Sequence, residues 1–160
     1  MKSLIRQAAL AGLCLFSAGG AMAGATVTFA QPDNFSDVPF ASWERERVLK
    51  DLSAHFDKLA ATLPPGQELS VEVLDVDLAG RTWHGRWAKP DLRVMNGRAD
   101  WPHLKLRYTI TEDGKVVSSG EDSLSNMSYL HRHNRYYNGD SLRYEKQMLD
   151  DWFKERIAVR

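Results

Sequence analysis

Cysteine is almost missing: the chain of 160 residues has one, Cys14. It lies in an apolar run near the N-terminus, so once that run is removed no disulfide, thiolate metal site or cysteine nucleophile is left. That run, Ala8 to Ser17, has about ten residues, roughly half of what a helix needs to cross hydrocarbon, and no transmembrane segment is expected. Charge of one sign is not in excess either. Lys and Arg number 21 and Asp and Glu 21, so no global positive field points to a nucleic-acid partner. Also absent are a Gly-x-Ser-x-Gly elbow, a His-Glu-x-x-His helix, a phosphate loop and a dinucleotide fingerprint, and with them any sign of a cofactor. Repeats, low-complexity tracts and linkers are lacking too, which argues for one domain.

What is present begins with an export signal. Lys2 and Arg6 precede the apolar run, and Ala21-Met22-Ala23 is a small-x-small cleavage site. Residues 1–23 are therefore expected to be a cleaved secretory signal peptide, with the protein delivered to the bacterial periplasm. Leu13 stands before Cys14 where a lipoprotein signal has a small residue, which argues against lipid attachment. Residues 24–160 then keep 19 basic residues, Lys2 and Arg6 having gone, against 21 acidic ones, a net charge of −2. The composition, 43% hydrophobic and 26% charged, supplies enough apolar surface for a packed core.

Periodicity orders the elements. Ala25 to Phe29 alternates as a short strand, and the Pro/Asp/Asn-rich stretch Gln31 to Pro39 breaks it. Ser42 reads as the N-cap of a helix carrying Val48, Leu49, Leu52, Phe56, Leu59 and Leu63 on one stripe until Pro64-Pro65-Gly66 stops it. From Leu69 to Leu78 the apolar phase flips at Val73-Leu74, so either a bulge sits there or both faces are covered; a bulge leaves Asp75 and Asp77 solvated. Leu104, Leu106, Tyr108 and Ile110 alternate with polar residues, and Asp113-Gly114 turns the chain into a hairpin with Val116 to Leu124.

Unbroken pairing of that hairpin sets Leu106 against Glu121 and Lys105 against Asp122. A bulge at Gly120 sets Leu104 against Leu124 and Leu106 against Asp122, so either register leaves one acid at the core edge. The last element, from Asp140 or Ser141 as N-cap to about Ile157, is a helix with Leu142, Leu149, Trp152, Phe153 and Ile157 on its apolar face. The order of elements predicts an α+β domain: a mainly antiparallel sheet of four or five strands with two amphipathic helices packed on it.

Seven stretches carry a resemblance: Val27-Thr-Phe29, Phe35-Ser-Asp37, Leu63-Pro-Pro-Gly-Gln67, Asp75-Val-Asp-Leu-Ala-Gly80, Asp91-Leu-Arg-Val94, Asp100-Trp-Pro102 and the closing helix Leu142 to Phe153. In these the chain resembles the bacterial family labelled domain of unknown function 3016. The resemblance implies an exported bacterial protein and transfers no catalytic residue, since the family carries no assigned activity.

Three groups of residues are candidates for chemistry. The stretch Arg81 to Arg93 reads as a long loop that holds Trp83 and Trp87 among Arg81, Arg86, Lys89 and Arg93, residue types that stack on flat ligands and pair with anions. Either these tryptophans meet a partner or they fold back over the core. The acids Asp75, Asp77, Glu121 and Asp122 could serve a small hydrolase working from the sheet edge, and Glu121 or Asp122 would then titrate above an ordinary carboxyl. His131 and His133 could hold a metal ion from a loop, given a third ligand from elsewhere. Of these readings, the sequence favours a non-enzymatic binding module meeting an envelope protein or an anionic glycan on the stretch Arg81 to Arg93, with the hydrolase and the histidine metal site as alternatives.

Overall fold

The computed structural model describes residues 24–83 and 92–157. The export signal, residues 1–23, and the candidate binding residues Arg86, Trp87 and Lys89 lie outside them. The strands are β1 (Ala25–Phe29), β2 (Gln67–Asp77), β3 (Arg81–Trp83), β4 (Leu92–Val94), β5 (His103–Glu112) and β6 (Lys115–Ser125); the helices are α1 (Ser42–Ala60) and α2 (Arg143–Arg156). The main sheet has the order β1-β2-β5-β6, and β3 pairs with β4 in a separate two-stranded ribbon. All pairs are antiparallel except β1 with β2, whose connection runs through α1. This is the expected α+β class.

One face of the sheet is apolar and carries both helices. Val71, Val73, Val76, Leu104, Leu106 and Ile110 meet Leu52 and Phe56 of α1 and Leu149, Trp152 and Phe153 of α2 in one buried cluster. The opposite face is polar: Arg107 reaches Glu72 on one side and Glu121 on the other, at 2.6 and 3.0 Å, across three strands. The flip in β2 is a bulge, with the register slipping between Val73 and Asp75, so that Val76 returns to the core while Asp75 and Asp77 take the other face.

Four local expectations are corrected. The N-cap of α1 is Ala41, one residue before Ser42, and no side chain caps it. The N-cap of α2 is Leu142 rather than Asp140 or Ser141 and has no side-chain cap; Asp140 Oδ1 accepts the N–H of Leu142 itself at 2.9 Å. The stretch 81–93 is not simply a loop, since its ends pair as β3 and β4. In the β5–β6 hairpin the bulge falls at Val117 rather than Gly120: Thr111 faces Val116, but Ile110 faces Ser118 and Leu106 faces Asp122. Gly120 remains paired with Tyr108, and a Cβ there would sit 3.0 Å from the Tyr108 ring, so the glycine makes room for that ring. Asp113 and Gly114 both have positive φ, 51° and 76°, as a tight hairpin turn requires.

Candidate functional site

The C-terminal end of β2 and the β3–β4 ribbon bring together Asp75 and Asp77 with Arg81, Trp83 and Arg93. Arg93 on β4 is the organiser. Its guanidinium donates to both carboxylate oxygens of Asp37, at 3.0 and 3.2 Å, and to the carbonyls of Leu78, Ala79 and Gly80 at 3.2, 3.2 and 3.3 Å. A planar fork with five donors can do this; a lysine could not. Gly80 has φ +83°, and a Cβ on it would lie 2.7 Å from the Val94 carbonyl oxygen, so this turn demands glycine. Arg81 donates to the Ala99 carbonyl at 3.2 Å.

The two sequence-predicted acids of β2 differ in role. Asp75 accepts from the backbone N–H and the hydroxyl of Ser36, at 2.7 and 2.6 Å, and so pins the segment after β1. Asp77 lies 3.5 Å from His103 Nδ1. Burial pushes its carboxyl up, the neighbouring Asp37 and Asp75 add to the effect, and His103 and Arg93 oppose it. The Trp101 indole N–H donates to His103 Nε2 at 2.7 Å, while Nδ1, facing Asp77, makes no hydrogen bond among the described residues.

Beside them, the nearly buried Asp100 accepts from the Asn96 N–H at 2.6 Å and the Tyr129 hydroxyl at 3.0 Å. Burial pushes this carboxyl up, but the hydrogen bonds outweigh it and hold it below the ordinary range, while the Tyr129 hydroxyl, desolvated and bound to it, is pushed up to about 12. Asp37, Asp77, Asp100, Arg81 and Thr82 wall a polar cleft of about 420 Å³. Most of its polar groups already have partners in the fold.

The apolar part of the site lies on the other side of the ribbon. Trp83 is 69% exposed, and Leu92, directly opposite it across the β3–β4 pair, is 65% exposed. The reading in which Trp83 folds back over the core is therefore overturned. A groove of about 460 Å³ runs between the ribbon, at Thr82 and Arg93, and the segment Val38 to Ala41, whose Phe40 is almost fully exposed.

The remaining candidates lie elsewhere. Glu121 and Asp122 are neighbours on β6, on opposite faces of the sheet. Glu121 is bound by Lys105 at 2.9 Å and Arg107 at 3.0 Å, and these hydrogen bonds hold it below the ordinary carboxyl range. Asp122 is held down first by Arg156 and then by the Trp152 indole, against its partial burial. The expected upward shift is thus reversed at both acids, because each is committed to cations or indole rather than left in apolar surroundings. His131 and His133 are exposed in the stretch before α2, and among the described residues no group of three His, Cys, Asp or Glu side chains converges on a metal position.

Sequence reasoning missed Asp37, Asp100 and Trp101, which sit in irregular segments with no periodicity to mark them, and His103, which opens β5. It also missed Glu145 on α2. This carboxyl is wholly buried, accepts from the Ala79 N–H at 2.7 Å through Oε1, and has no partner at Oε2. Burial pushes it up.

Residues 23–155 match the family described as "Protein of unknown function (DUF3016)". No curated protein matches the chain. Among solved structures, a Xanthomonas campestris protein of the DUF330 family aligns over 85% of this chain and 82% of its own, at 12% identity and a TM-score of 0.35.

Proposed function

The chain belongs to the DUF3016 family, and on that premise we propose that it is an exported, non-enzymatic binding module of the bacterial envelope that takes a protein partner on the β3–β4 ribbon. Residues 1–23 would deliver it to the periplasm. The observation that carries the reading is the exposed pair Trp83 and Leu92, directly opposite each other on one face of the ribbon. Large apolar side chains held out on a paired ribbon cost solvation unless a partner covers them, and tryptophan at the centre of such a patch is a common anchor. The ribbon is held rigidly by the Arg93 clasp, so little order has to be gained on binding. Leu92 offers no hydrogen bond, which suits apolar protein side chains better than an anionic glycan. Glu121 and Asp122 are each tied into ion pairs, which weakens the hydrolase reading.

Site-specific photo-crosslinking in the envelope tests this. A benzophenone amino acid replacing Trp83 should give a discrete protein adduct, and one replacing Thr109 on the polar face should not. The adduct should disappear with Leu92→Ser. A glycan adduct would replace the protein partner with a sugar polymer, and equal labelling from both positions would sink the proposal.

A further inference from the structure

A second groove runs along β6, away from the ribbon, and nothing in the function proposed above uses it. It holds about 550 Å³ between the C-terminal half of β6, Asp122 to Asn126, and one face of α2 made by Met148, Asp151, Trp152, Glu155 and Arg156. Its floor is apolar, from Leu124, Met148 and Trp152. Because the sheet order ends with β6, this strand has a partner on one side alone among the described residues.

The Asn126 N–H donates to the Pro102 carbonyl at 3.2 Å, so Asn126 faces β5. Backbone groups alternate along a strand, and Leu104 faces Leu124 and Leu106 faces Asp122. The N–H and C=O groups of Ser119, Glu121, Ser123 and Ser125 therefore point away from β5, and all four residues are exposed. Among the described residues no hydrogen bond reaches these backbone groups from outside the sheet. A row of outward donors and acceptors repeating every second residue is matched in register by one kind of ligand, an extended polypeptide backbone.

We propose that β6 and the adjoining face of α2 form a second binding site, which takes an extended peptide segment of another protein as a fifth strand of the sheet. Successive side chains of the added strand alternate between the two sheet faces. Those on the helix side enter the groove, where the floor favours an apolar residue; of the wall carboxylates Asp122 is paired with Arg156 and Asp151 with Arg132, which leaves Glu155 with no ion-pair partner among the described residues. A basic residue two positions from the apolar one complements Glu155. A second copy of this chain fits poorly as the occupant. Between Val116 and Ser125 its own β6 has no basic residue, and it would bring Glu121 and Asp122 to a groove already acidic.

The test uses the purified protein and a phage-displayed library of random octapeptides. Enriched peptides should combine alternating apolar residues with Lys or Arg, and binding should shift the amide resonances of Glu121, Ser123 and Ser125. Ser123→Pro removes an outward N–H, at an edge position where proline is tolerated, and should weaken binding at least tenfold. Methylating alternate backbone nitrogens of the peptide should do the same, and this arm stands even if Ser123→Pro lowers stability. Trp83→Ala should leave peptide binding unchanged, which separates this site from the ribbon. The proposal is overturned if no peptide is enriched, if enriched peptides bind the Ser123→Pro protein equally or shift the ribbon instead, or if the protein is a dimer that Ser123→Pro dissociates.

Discussion

The indole N–H of Trp152 donates to Asp122 Oδ2 at 2.9 Å, joining the centre of α2 to the one carboxylate that the hairpin register forces onto the core face of the sheet. Arg156, one turn further along the helix, closes on the same carboxylate at 2.8 and 3.1 Å. An acid at a core edge is costly when unpaired. Here one helix supplies both partners from positions four residues apart, so the register of the hairpin and the docking of α2 depend on each other.

Trp152 also meets Phe56, Tyr108 and Phe153 edge-on, with ring centroids 6.4, 5.6 and 6.2 Å away. Trp152→Ala should cost about 3 to 5 kcal/mol, a large share of the stability of a small domain. Trp152→Phe keeps much of the packing but loses the bond to Asp122, and should cost less. Urea unfolding of both variants measures this, and an unmoved midpoint for the alanine variant would mean that α2 does not depend on its aromatic face.

Glu145 should make stability fall with rising pH. Burial raises its folded-state pKa above the unfolded value near 4.5, so its contribution is complete below that value and lost as the pH climbs through the folded pKa. Glu145→Gln keeps an oxygen for the Ala79 N–H and carries no charge. Relative to wild type it should therefore gain stability between pH 4.5 and 8. The comparison needs chemical unfolding at both pH values, and a constant difference between the proteins would contradict the assignment.

His55 should act in the opposite direction. It is buried between the helices, with Nε2 3.1 Å from the Lys146 carbonyl and 2.9 Å from Asp150 Oδ1. Desolvation lowers its pKa from 6.5 despite the opposing pull of Asp150. With the folded pKa depressed, the stability it contributes is complete above 6.5 and is lost as the pH falls through the folded value. His55→Gln should flatten the decline in melting temperature between pH 7.5 and 5.5, and an unchanged profile would show that His55 is not its source.

The Arg93 clasp predicts a difference between arginine and lysine. Arg93→Ala should cost about 1.5 to 3 kcal/mol, in line with hydrogen bonds made by a charged group. Arg93→Lys should recover little of it, because an ammonium cannot match the Asp37 carboxylate and three carbonyls at once. Hydrogen exchange at the amides of Leu78 and Gly80, which donate to the carbonyls of Asp37 and Asp100, should quicken in both variants. Full protection in the lysine variant would refute the clasp.

Local pattern alone determined the elements of this protein: the α+β class, the phase flip in β2, the Asp113-Gly114 turn and the buried faces of both helices follow from spacings of two and of three to four, and these depend on neighbours along the chain. Even the acid at the core edge was legible, because register arithmetic left Asp122 or Glu121 there. Tertiary structure decided what answers that acid, since Trp152 and Arg156 lie about thirty residues away and helix docking alone brings them to Asp122. It likewise moved the hairpin bulge from Gly120 to Val117, where the Tyr108 ring requires the glycine to stay paired. The carboxyl shifts, the Arg93 clasp and the buried Glu145 were illegible for the same reason. A charge is set by what surrounds it in space, and Asp37, Ala79 and Asp100 reach these groups from separate segments whose sequences carry no common period.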